Sequence, residues 1–141
     1  MEDEQMLQYI YKTAEMGKEG ILSIMKESKD PALTEALRTQ LRDYGEIYNT
    51  ATNYLNARGM TPQSAGTMAK MSVSITSALK TAADHSPSKI AELMIRGNTT
   101  GLTKSIKHLK DYQGDDPKVM ELANDLKSAE EAGIEKMKEF L

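Results

Sequence analysis

The sequence predicts an all-α protein: a four-helix bundle with a long crossover helix between its second and third bundle helices. Three observations predict it. Apolar residues recur three and four apart over long stretches, as one face of a helix requires, and no stretch alternates with period two long enough for a strand. Pro, Gly and Asp gather at four breaks that divide the chain into five helical segments. The break between the second and fourth segments is itself helical in pattern, and too long for a turn.

Helix one is expected over residues 4–28, its inward stripe formed by Leu7, Ile10, Ala14, Gly17, Ile21, Ile24 and Ser28. Asp30-Pro31 then supplies an N-cap and a proline at the first helical position. Helix two, 31–58, repeats the spacing at Leu37, Leu41, Tyr44, Tyr48, Ala51 and Leu55 and stops at Arg58-Gly59. Thr61-Pro62 opens the crossover, 62–83, with Met68, Met71, Ile75, Leu79 and Ala82 on one face. Ser86-Pro87 starts helix four, 87–112, on Ala91, Ile95, Asn98, Leu102, Ile106 and Leu109. Gly114 to Pro117 breaks the chain, and helix five, 117–140, carries Val119, Ala123, Leu126, Glu130, Gly133, Met137 and Phe140.

Short connections make helices one and two antiparallel, and likewise four and five. A crossover of about 22 residues spans roughly 33 Å at about 1.5 Å per residue, the length of the bundle. Two helical hairpins joined by such a crossover form the ferritin-like arrangement; a five-helix up-and-down array is the alternative.

The 141 residues suit one domain, able to bury a continuous core without disulfides or a structural metal. Cysteine is absent, which excludes disulfides, thiolate chemistry and zinc-finger ligation. With no Trp and one Phe, ten Met and six Tyr supply the bulk of the core. The net charge is −3 with basic and acidic residues interleaved, so no stripe fits a phosphate backbone and no nucleic acid is expected. No apolar run nears the roughly 18 residues of a membrane span, and the acidic start Met1-Glu2-Asp3-Glu4 lacks the parts of a secretory signal. The expected compartment is the cytoplasm.

Several short stretches carry a family likeness: Gly17-Lys18-Glu19-Gly20, Asp30-Pro31 followed by Leu33, Gln63-Ser64-Ala65-Gly66, Arg96-Gly97, and the last helix. On these the chain resembles a bacterial ferritin-like domain family of unknown function, related to the rubrerythrin-type bundles. The resemblance implies a bundle with a crossover helix and no particular reaction. It also implies an acid where this chain has Lys18.

A di-iron bundle needs inward carboxylates from all four helices and a histidine three residues after a glutamate on two of them. Two cations in a low-dielectric core need anionic oxygens for charge balance and imidazoles to complete coordination. The predicted inward slots hold Gly17 on helix one, Tyr44 and Tyr48 on helix two, and Ile95 and Asn98 on helix four. On helix five Glu130 faces inward, but Gly133 stands where the motif wants histidine. Asp43 and Glu46 fall about 120° or more off the helix-two stripe. His85 and His108 are not spaced to help.

The expectation is a non-catalytic bundle with a degenerate metal site and no cofactor, acting as a structural or protein-interaction module. A homodimer, or a protein partner docked on the crossover helix through Met68 and Met71, is the expected association. Glu130, Asn98, Tyr44, Tyr48 and Lys18 are expected as a mid-bundle polar cluster, since a lone buried carboxylate must be paired or neutralised. The alternative is a carboxylate-bridged protein holding iron or manganese on Asp43, Glu46 and Glu130. A third reading is a small-molecule binder with a cavity near Gly17 and Gly133, where glycine tolerates close approach at a cost of roughly 0.5–1 kcal/mol. Gly20 is expected to be exposed.

Overall fold

The computed structural model describes residues 1–64 and 70–141, with the backbone alone for 70–74. Its helices are α1 (Asp3–Met25), α2 (Pro31–Ala57), α3 (Lys70–Thr81), α4 (Pro87–Asp111) and α5 (Pro117–Lys138). The described residues contain no strand.

Three helix starts use the same device. Asp30, Ser86 and Asp116 sit at the N-caps of α2, α4 and α5, and each is followed by a proline whose missing N–H costs the first turn nothing. The Asp30 carboxylate accepts from the Leu33 N–H at 2.9 Å, and the Ser86 hydroxyl accepts from the Lys89 N–H at 3.2 Å. At the end of α2, Gly59 takes a positive φ of 72°, and the Met60 N–H returns to the Leu55 carbonyl at 2.9 Å. The left-handed conformation there suits glycine, and the returned bond satisfies an otherwise orphaned carbonyl.

Cross-helix pairs fix the directions. Tyr11 meets Tyr48, and Glu4 meets Arg58, so α1 and α2 run antiparallel. Ser105 meets Glu130, and a Cβ on Gly133 would lie 2.7 Å from Asn98 Nδ2, so α4 and α5 are antiparallel too. Tyr9 contacts Ser105 and His108 on α4, and Arg58 meets Asp116 at the start of α5. Each long helix therefore runs opposite to its sequence or spatial neighbour, and the diagonal pairs α1/α5 and α2/α4 run parallel.

The sides α1–α2, α2–α5 and α5–α4 are closed by direct packing, whereas α1 and α4 touch along little of their length. α3 fills that side by packing on both. Leu79 of α3 is fully buried, and Ile75 and Ala78 lean on the core. The core proper runs through Leu7, Ile10, Leu33, Leu37, Leu55 and Leu126, each essentially inaccessible, and each contributing about 1.5–3 kcal/mol through burial.

Several boundaries and phases differ from the expected ones. α1 ends at Met25, where the next amides bond three residues back. Residues 61–64 are not helical, so Pro62 does not open the crossover. The cause is Gln8, whose amide donates to the Thr61 carbonyl at 3.0 Å and accepts from the Gln63 N–H at 2.9 Å, holding that backbone against α1. α3 is described for 12 residues, about 18 Å, and ends at Thr81 rather than 83. On α4 the buried face is Ile90, Ala91, Met94, Asn98 and Ser105, which leaves Leu102 and Ile106 at its edge. On α2, Gln40 and Ile47 are buried, while Leu41 and Tyr48 are only partly so. Met68 lies outside the described residues, and of Met71 only the backbone is described.

No described helix is long and apolar enough to cross a membrane. Large exposed apolar side chains among the described residues are scattered singly, at Leu22, Met120 and Leu141.

Candidate functional site

The side between α1 and α4, which α3 covers, holds a cavity of about 90 Å³. Met16, Ile21 and Ile24 of α1, Met94 of α4 and Ile75 of α3 supply its apolar wall. Gly17, Gly20, Gly97 and Gly101 also line it. Gly20 is thus half-buried at the cavity rather than exposed. Tyr9, Thr13, Tyr44, Asn98 and Glu130 give the cavity its polar end, and Lys104 stands beside it on an exposed position of α4.

The glycines are spaced for what faces them. A Cβ on Gly17 would come within 3.0 Å of the Tyr44 ring, and one on Gly97 within 2.6 Å of Ile75 Cδ1. A Cβ on Gly101 would fall on the Glu130 carboxylate itself. The bare α4 backbone at Gly101 is therefore what makes room for the acid reaching over from α5.

Glu130 is 1% exposed. Ser105 donates to its Oε1 at 2.5 Å, and this is its single hydrogen bond among the described residues. The Tyr9 hydroxyl lies 2.9 Å from Ser105 Oγ. Because Ser105 has one proton and gives it to the carboxylate, Tyr9 is the donor to Ser105 whenever Glu130 is ionised. No cation forms an ion pair with Glu130 among the described residues. Burial pushes its carboxyl up to about 7, opposed by the Ser105 hydrogen bond and reinforced by neighbouring Glu131. Burial likewise raises Tyr9 and Tyr44, each further disfavoured as a phenolate by the charge of Glu130.

A second buried chain lies alongside. Tyr44 donates to Asn98 Oδ1 at 3.2 Å, and Asn98 Nδ2 donates to Gln40 Oε1 at 3.3 Å. The chain stops there, for Gln40 Nε2 is buried with no acceptor among the described residues. Gly133 permits it, since a Cβ there would sit 2.7 Å from Asn98 Nδ2 and 3.0 Å from Gln40 Oε1.

Of the expected polar cluster, the structure brings Tyr44 and Asn98 together and places Glu130 beside them on the same cavity. Tyr48 and Lys18 belong elsewhere. Tyr48 stacks on Tyr11 with ring centroids 4.8 Å apart and a hydroxyl contact of 3.0 Å, while Lys18 Nζ lies 4.1 Å from the Tyr48 ring centre. Lys18 spends its charge on an aromatic face and does not neutralise Glu130.

The alternative ligand set is not assembled. Asp43 and Glu46 line a shallow groove between α2 and α5 with Glu121 and Asp125, and Glu130 is not among its residues. Among the described residues no group of three or more His, Asp or Glu side chains is arranged to hold a metal ion. Sequence reasoning missed Tyr9, Ser105, Gln40 and Gly101. The available signal was the spacing Gly97, Gly101, Ser105, four apart on α4, a small-residue line next to the apolar stripe.

Comparison with known proteins gives a fold. No family model matches the chain, and no curated protein matches it either. Among solved structures it is similar to the crystal structure of a DUF305 fragment from Deinococcus radiodurans. The two share a TM-score of 0.76 at 16% sequence identity, over 97% of this chain and 93% of that one. The likeness is one of helical architecture. It lends no support to a rubrerythrin relationship and indicates no catalytic family.

Proposed function

We propose that this chain is a non-catalytic, ferritin-like helical module that binds a small ligand in the cavity between α1 and α4. The observation that carries the reading is Glu130: a buried carboxylate bordering an open volume, with one hydrogen bond and no cationic partner among the described residues. A structural acid in a core is surrounded by donors or cations, because an isolated one costs several kcal/mol. An acid left short of partners beside a cavity is the arrangement of a site that completes its interactions with something from outside.

The ferritin-like part of the reading rests on the crossover between parallel diagonal helices and on the inward slots. These hold Gly17, Tyr44 and Asn98 where a di-iron bundle has carboxylates and histidines. Binding at the cavity is favoured over docking of a protein on the crossover helix, because α3 turns Ile75, Ala78 and Leu79 inward.

The test is a titration of isotope-labelled protein with a library of small fragments, followed by amide and methionine-methyl NMR. Saturable shifts should gather at Met16, Gly17, Met94, Gly97 and Gly101. Shifts gathered at the α2–α5 groove, or none from any fragment, would reject the reading.

A further inference from the structure

We infer that the ligand is a short primary alkylammonium ion, its charged end paired with Glu130 and its alkyl end against Ile21, Ile24 and Met94. The inference rests on the binding reading above and adds the ligand's charge, size and polarity. Charge comes first. Among the described residues the titratable groups around Glu130 are Tyr9 from α1, Tyr44 from α2, Lys104 from α4 and Glu131 on its own helix, and of these Lys104 alone is basic. Lys104 is exposed and forms no ion pair with Glu130. Two phenols that stay protonated, a second acid and a solvated lysine leave the carboxylate without a countercharge among the described residues. A cation entering the cavity provides it.

The shape of the lining selects among cations. A metal ion wants several oxygen ligands, and this site offers one carboxylate and neutral hydroxyls. An ammonium group has three N–H donors, and the acceptors here are Glu130, with the hydroxyls of Tyr9 and Thr13 nearby. The remaining wall is apolar and includes two thioethers, which suits methylene groups and not a second charge. A volume of about 90 Å³ equals roughly three water molecules' share of the liquid, enough for about four non-hydrogen atoms. For a ligand that small the affinity is no tighter than roughly 40 µM.

The experiment titrates full-length protein with propylammonium chloride and, separately, 1-propanol at pH 8, reading the cavity resonances by NMR. Propylammonium should saturate with at least tenfold higher affinity than propanol. Glu130→Gln should remove that preference while keeping the amide spectrum of a folded bundle. At pH 5, where the carboxyl of the unsubstituted protein is protonated, the preference should also shrink at least tenfold, so the result does not depend on the variant folding. Equal affinity for propylammonium and propanol would overturn the ion pair and leave the cavity as a neutral binding site. No saturable shift from either probe would remove the binding reading as well. An amide-capped lysine derivative binding as tightly as propylammonium would overturn the free amine in favour of a lysine side chain presented by a protein.

Discussion

Glu130 on α5 lies against the bare backbone of Gly101 on α4, so closely that a methyl group on that glycine would occupy the position of the carboxylate. Acid and glycine are a matched pair. Replacing Gly101 by Ala should gain up to about 1 kcal/mol of helix propensity. It must also push Glu130 Oε2 aside and strain the hydrogen bond that Ser105 makes to Oε1, and the expected net effect is a loss of about 1–2 kcal/mol. Gly45, half-way along α2 with nothing near its missing Cβ, is the control. Gly45→Ala should stabilise by about 0.5–1 kcal/mol. Urea denaturation of both variants checks the opposite signs, and a stabilised Gly101→Ala would show that the carboxylate moves freely.

The titration of Glu130 should appear in stability against pH. Its carboxyl is raised from 4.5 unfolded to about 7 folded, so between these values the native state holds a proton that the unfolded state has released. Stability from this group is therefore full below about 4.5 and is lost as pH rises through about 7, by about 3 kcal/mol at most. Glu130→Gln should abolish that slope and make the protein more stable than the parent at pH 8. Urea midpoints at pH 5, 6, 7 and 8 measure it, and parallel curves for the two proteins would refute the assignment.

Ser105→Ala removes the donor that holds the Glu130 titration down. Its midpoint should rise further above the ordinary carboxylate range, and Tyr9 loses its hydroxyl partner at the same time. Carbon-13 NMR of the labelled glutamate carboxyl reads the first change directly. An unmoved midpoint would mean that another donor takes over.

The chain Tyr44–Asn98–Gln40 predicts unequal costs at its middle and at its Gln40 end. Asn98→Leu strands the Tyr44 hydroxyl and Gln40 Oε1 in the core and should cost about 2–3 kcal/mol. Gln40→Leu removes an amide whose two Nε2 hydrogens already lack acceptors among the described residues, and should cost about 1 kcal/mol or less. Comparing thermal midpoints of the two variants and of the double variant gives the coupling between them.

How far the sequence reveals this arrangement depends on what marks each helix face. On α5 the inward line Val119, Ala123, Leu126, Glu130, Gly133, Met137 is apolar enough on both sides of the acid to make its direction legible. On α4 the inward line after Met94 is Asn98, Gly101 and Ser105, which carries no apolar signal, while Leu102 and Ile106 at the edge suggest a stripe turned away from the true one. The cavity is hidden for that reason, because the residues that shape it are the small ones periodicity discounts. Lys18 is a different case. Its position beside the helix-one stripe is readable, but its choice of the Tyr48 ring depends on a neighbour across the α1–α2 side. The start of the crossover is unreadable too, since the backbone at 61–63 is held by Gln8, more than fifty residues earlier in the chain.

At the far end from α3, Arg58 bonds Asp116 at 2.6 Å and Glu4 at 3.1 Å, and Tyr112 donates to Asp3, so that the start of α1, the end of α2 and the loop before α5 are knotted together. The helices are thus moored at this end, like a sheaf tied near its base, and the cavity lies along the seam beyond the tie, beneath α3. A guest entering through that seam has to pass α3, which packs on both α1 and α4.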